Sequence, residues 1–178
     1  MEIIRAKHMG FCFGVAGAIS MCHKVSSDEK NRDKRIYILG MLVHNEHVVN
    51  QLSKQGFKIV EEMDILQGKD ELQKGDIVII RAHGTSERIF NILKEKEVEI
   101  YDATCVFVTQ IRKTLVEMEK KGYDILFIGD KNHPEIKAMI GYCGDKFCVI
   151  NTKEEAEIIK NKKNLYIISQ TTNLVEKF

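Results

Sequence analysis

The sequence predicts an α/β protein made of two similar small α/β domains, each built on a parallel sheet. Three observations predict it. Short, β-branched apolar runs alternate with longer helical patterns, the signature of right-handed βαβ units. A frame Gly-x-x-x-His-x-Glu occurs twice, each time after a strand and leading into a helix. A cysteine in a strand-to-helix turn precedes each frame by roughly thirty residues, so two similar units sit end to end, offset by about ninety. The domains are expected at 1–104 and 105–178.

In chain order, a first strand is expected over 2–6, where Ile3-Ile4 begins the apolar pattern. Gly10 and Gly14 then flank Cys12 in a tight turn that opens a helix over 15–24. The run Ile36-Tyr37-Ile38-Leu39 gives a strand over 35–39, followed by the first frame, Gly40 to Glu46, and a helix over 46–54 that stops at Gln55-Gly56. Strands over 58–61 and 77–81 follow, the second from Ile77-Val78-Ile79-Ile80. Ser86 is the natural cap of a helix over 86–94. A strand over 99–102 leads to Asp102-Ala103-Thr104-Cys105, with Thr104 or Asp102 available to cap a helix over 109–121. The run Ile125-Leu126-Phe127-Ile128 gives a strand over 124–128, and the second frame, Gly129 to Glu135, opens a helix over 134–140 with Pro134 at its first turn. A strand over 146–150, a helix over 154–160 and a strand over 165–169 complete the pattern.

Bulk properties exclude several functions. The formal charge is +1, which provides no basic field for nucleic acid and no polybasic membrane patch. The start, Met1 to Lys7, is charged and lacks the apolar segment of a signal peptide, and no run reaches transmembrane length, so a cytoplasmic protein is expected. Five cysteines is an odd number and none forms a C-x-x-C pair, which argues against a disulfide framework, zinc ribbons and thioredoxin-like sites.

The reactive residues fall at strand ends. Cys12 and Cys105 each stand at a helix start, where the dipole stabilises a thiolate. A lone cysteine there also reads as a small buried hydrophobe, but two equivalent placements weaken that reading. His44, His83 and His133 each follow a strand, where open α/β sheets bind ligands and clustered helix starts favour phosphates. Histidines beside a diphosphate are expected to bind it as imidazolium. Glu135 reads either as a helix-start carboxylate or as a proton donor, and Thr171 either as a cap or as a hydroxyl relay. Cys22, Cys143 and Cys148 read as structural.

Six motifs carry a resemblance: Gly10-Phe11-Cys12-x-Gly14-Val15, Val43-His44-Asn45, Ala82-His83-Gly84, Asp102-Ala103-Thr104-Cys105, His133-Pro134-Glu135 and Gln170-Thr171-Thr172. In order and spacing they are similar to the signature series of the hydroxymethylbutenyl diphosphate reductases. That resemblance implies three α/β domains in a trefoil around a 4Fe-4S cluster held by three cysteines. Cys12 and Cys105 match two of them, and the third cysteine and third domain are expected past residue 178. It further implies diphosphate contacts from His44 and His83, His133 and Thr171 at the substrate, and Glu135 as proton donor. A ferredoxin- or flavodoxin-type protein would supply electrons. Where the family has a proline after the second cysteine this chain has Val106, which leaves the ligand intact and makes the turn less rigid.

Two other functions fit parts of the pattern. A non-redox phosphate-binding module would keep both cysteines structural, and a zinc hydrolase would use His44, His83 and His133. Being short of a third cysteine, the 178-residue chain alone is expected to hold no stable catalytic cluster and to have little or no activity.

Overall fold

The computed structural model describes residues 3–5, 7, 9–43, 45–144, 147–171 and 173. Two wholly parallel sheets form the frame. The first contains β1 (Ile36–Leu39), β2 (Lys58–Val60), β3 (Ile77–Ile80) and β4 (Glu99–Asp102) in the order β2-β1-β3-β4. The second contains β5 (Asp124–Ile128), β6 (Phe147–Ile150) and β7 (Leu165–Ser169) in the order β6-β5-β7.

Helices cover both faces of the first sheet, so β3 is buried at every position and reads as an unbroken apolar run rather than an alternating one. Its side chains still alternate between two cores. Ile77 and Ile79 join Ala18, Cys22 and Val25 of α1 (Phe13–Ser27) and Val48 and Leu52 of α2 (Glu46–Lys54). Val78 and Ile80 join Ile65 of α3 (Glu62–Gln67) and Ile89 and Leu93 of α4 (Glu87–Glu95). In the second sheet Ile125 and Phe127 pack against Val108 and Leu115 of α5 (Val106–Lys120) and Ile136 and Met139 of α6 (Pro134–Ile140).

The internal repeat is visible in backbone bonds. Gly40, directly after β1, donates its N–H to Val60 at the end of β2 at 2.8 Å. Gly129, directly after β5, does the same to Ile150 at the end of β6, also at 2.8 Å. In both sheets the first strand is flanked by the second and third, which puts a switch point beside it, where side chains from two strand ends can converge.

Three expectations need correction, and one element was not expected. Ile3 to Arg5 form no strand; Ile3 and Ile4 are 73% and 85% exposed. A strand exists only by pairing with another edge, and no described strand pairs with this segment. The segment expected as a helix over 154–160 is a 3-10 helix, Glu154–Ile159. Asp102 and Thr104 do not cap α5: Thr104 donates its N–H and its hydroxyl to Asp102, and Cys105 itself is the N-cap. Finally, α3 carries the crossover from β2 to β3 and was not expected, because six residues ended by the left-handed Gly68 are too short to show a helical period.

Candidate active site

Cys12 and Cys105 occupy equivalent positions. Each is the N-cap of a helix, α1 and α5, with an extended ψ of 163° and 136° respectively and no side-chain capping bond. Each carbonyl accepts the first intrahelical bond, from Ala16 at 2.9 Å and Thr109 at 3.0 Å. Neither helix has an acidic residue in its first turn. Two uncompensated helix N-termini thus present their thiols where negative charge is favoured.

The two turns meet. A Cβ placed on Gly14 would lie 2.7 Å from Cys105 Sγ and 3.0 Å from its Cβ, so only glycine lets the Cys105 side chain pass the start of α1. Both cysteines line one cavity of about 740 Å³, together with His83 and Thr171. The Cys105 N–H donates to Ala82 at 2.9 Å, which ties the start of α5 to the residue before His83.

Glu135 forms the second cluster of groups. His133 is the N-cap of α6, its Nδ1 accepting the Glu135 N–H at 3.2 Å, and Pro134 follows at the first helical position. Glu135 is fully buried. Its Oε1 accepts the Thr171 N–H at 3.0 Å and its Oε2 the Thr171 hydroxyl at 2.6 Å, across the switch point between β5 and β7. The His133 and His83 rings meet edge to face at 5.5 Å, which joins the two halves of the site. His44 lies outside the described residues.

Of the cysteines read as structural, Cys22 is buried in the first core, and burial pushes its thiol up to about 12. Burial likewise raises Cys143 to about 11, and Cys148 lies in β6. Sequence reasoning passed over two other residues that touch the His83 loop. Arg81 precedes it directly, a position that could have drawn notice; Tyr142 reaches it from beyond α6 with no sequence signal at all.

The donors fit part of an iron–sulfur site. Two thiols converge on a cavity with largely apolar walls, and cluster iron is a thiolate-binding centre. Among the described residues no three His, Cys, Asp or Glu side chains converge to hold a metal ion. Nor is any helix there long and apolar enough to cross a membrane.

The family model described as LytB protein matches residues 3–178. The chain belongs to the LytB protein family. LytB relatives named 4-hydroxy-3-methylbut-2-enyl diphosphate reductase include one from Fusobacterium nucleatum, 49% identical over 99% of this chain, which covers 21% of that relative. Another, from Caldanaerobacter subterraneus, is 44% identical over 99% of this chain, which covers 59% of it. Two solved structures share the fold. The structure of (E)-4-hydroxy-3-methyl-but-2-enyl diphosphate reductase aligns with a TM-score of 0.83 at 32% identity, over 98% of this chain and 59% of that one. The Plasmodium falciparum reductase aligns with a TM-score of 0.82 at 29% identity, over 94% of this chain and 51% of that one. The chain therefore spans about three-fifths or less of the length of these relatives.

Proposed function

We propose that the chain provides two lobes, 1–104 and 105–178, of a cytoplasmic reductase that converts 4-hydroxy-3-methylbut-2-enyl diphosphate to isopentenyl and dimethylallyl diphosphate. What supports this most is one relationship: Cys105 Sγ rests against Gly14, two residues beyond Cys12, on the cavity that His83 and Thr171 also line. Family membership and the names of the relatives support a reductase acting on that diphosphate.

Cys12 and Cys105 would each give one thiolate to a 4Fe-4S cluster, with a third thiolate expected from outside these 178 residues. When bound, the cluster would supply electrons and Lewis acidity toward the substrate's allylic hydroxyl. The chain's own residues do the rest. His83, with His44, holds the diphosphate where the first switch point opens, and His133, whose ring meets that of His83, lines the substrate site beside it. Thr171 orients the allylic hydroxyl. Glu135, when protonated, passes its proton along the 2.6 Å contact to the Thr171 hydroxyl, which hands its own to the departing oxygen. The hydroxyl leaves as water, the C–O bond taking one proton and two electrons to break, and a second proton delivered through Glu135 completes the new C–H bond of the product. Burial around Glu135 and the apolar cavity walls keep bulk water from competing for that proton. A ferredoxin- or flavodoxin-type partner would replenish the electrons.

Anaerobic reconstitution with iron and sulfide tests the reading. Extended to the length of its relatives, the chain should become coloured and give an EPR signal on reduction, and Cys12→Ser or Cys105→Ser should abolish both. The 178-residue chain alone should retain little iron and show no turnover. A colourless extended protein that still binds diphosphates, or one holding stoichiometric zinc, would end the proposal.

A further inference from the structure

Arg81, the first residue after β3, touches three separate segments. Its Nη2 donates to Glu62 Oε1 on α3 at 2.8 Å, and its Nε donates to the Gly84 carbonyl at 3.4 Å. A Cβ on Gly40 would lie 2.6 Å from its Nη1, so the guanidinium also crosses the turn after β1, where Gly40 takes a φ of +63°. The side chains of Arg81 and Glu62 are 13% and 25% exposed, so the ion pair is largely shielded from water. Thr85, fully buried, donates its hydroxyl to the same Glu62 Oε1 at 2.9 Å.

The other side of this loop is held from the second sheet. The Tyr142 hydroxyl donates to the Thr85 carbonyl at 3.1 Å and accepts from Arg112 Nη1 at 3.1 Å, with that guanidinium 4.8 Å from the ring centre. His83 therefore sits in a five-residue loop, Ala82 to Ser86, that has no regular structure of its own and is braced from both directions.

We propose that Arg81 and Glu62 are positioning residues that fix the His83 imidazole for anion binding. The inference rests on the diphosphate-site reading above. Neither residue is assigned contact with the ligand: the Arg81 charge is spent on Glu62, and the pair acts by holding the turns after β1 and β3 in one arrangement. Preset donors bind an anion without first having to be ordered, so loosening the brace should reduce what His83 contributes. A pair that merely stabilised the fold would leave the His83 contribution unchanged in the molecules that remain folded.

A double-mutant cycle on the full chain separates these cases, with inorganic pyrophosphate as the probe, calorimetric titration as the readout, and circular dichroism to confirm folding. His83→Ala should weaken pyrophosphate binding roughly tenfold, as loss of a charge-assisted contact does. Arg81→Met should weaken it by a similar factor, and His83→Ala should then cost little more. Glu62→Gln, which keeps an acceptor of the same shape, should reproduce part of the loss, and Arg81→Lys should restore part of it. It also serves as the folded variant if Arg81→Met proves unstable. If His83→Ala and either brace variant simply multiply, the positioning role is overturned and the diphosphate reading stands. If His83→Ala alone leaves affinity unchanged, the diphosphate reading falls and takes this inference with it.

Discussion

Glu135 grips Thr171 with both carboxylate oxygens, one on its N–H at 3.0 Å and one on its hydroxyl at 2.6 Å. The contact joins the start of α6 to the end of β7 and puts an ionisable group, itself wholly buried, one hydroxyl away from the cavity. Glu135→Gln keeps an acceptor for the N–H but has no transferable proton. In a protein of the relatives' length, reductase turnover should fall by about 10² to 10⁴ while substrate affinity changes little. Single-turnover kinetics with measured substrate binding checks this; turnover close to wild type would remove Glu135 as the donor.

Gly14 is where the two cysteine turns touch. Gly14→Ala places a methyl group 2.7 Å from Cys105 Sγ, so one turn must move. We expect a loss of about 1–3 kcal/mol in urea unfolding, the usual effect of overpacking. Lower iron uptake should follow in the extended protein. An unchanged midpoint with unchanged iron content would show that the turns are not in contact.

Thiol chemistry should divide the cysteines. Cys12 is exposed and should be alkylated first at pH 8, whereas Cys22 should resist until the chain unfolds. Burial raises Cys22 from 9.0 to about 12 and Cys143 from 9.0 to about 11, so the folded chain retains these protons after the unfolded chain has lost them. The stabilisation is therefore complete below pH 9 and is lost as the pH rises towards the folded values, by about 1.4 kcal/mol per pH unit for each thiol. Urea midpoints between pH 8 and 11 should show this decline, and Cys22→Ala should flatten its steepest part.

Asp76 anchors the start of β3 away from the site. It accepts from Arg35 Nε at 2.9 Å, from Arg35 Nη2 at 2.5 Å and from the Gln73 N–H at 2.7 Å, and it is only 6% exposed. Asp76→Ala leaves a partly shielded guanidinium and an N–H without their acceptor, and should cost about 2–4 kcal/mol of folding free energy. Pyrophosphate affinity of the folded fraction should be unaffected, because the contact lies at the opposite end of β3 from His83.

Much of the frame was legible residue by residue. Strands over 99–102, 124–128 and 165–169 match β4, β5 and β7, and helices over 46–54 and 134–140 match α2 and α6, because hydrophobic period and chain breakers are local signals. The helix starts at Phe13 and Val106 lie earlier than expected, since cysteine was not read as an N-cap. The candidate site was legible in part: His83, Cys105, His133 and Thr171 do follow strands, whereas Cys12 follows no described strand and stands only at a helix start. Its brace was not: Glu62 sits on a helix too short to show a period, and Tyr142 follows the close of α6.

The two frames define what each level decided. By itself the sequence determined that the two frames beginning at Gly40 and Gly129 would each follow a strand and lead into a helix, because chain breakers and strand period are written into neighbouring residues. Only the tertiary structure decided that the glutamates differ. Glu46 is exposed in the first turn of α2, whereas Glu135 is buried with Thr171 laid across it. Burial depends on what distant segments place above a side chain, and a local pattern repeated twice carries no record of that difference.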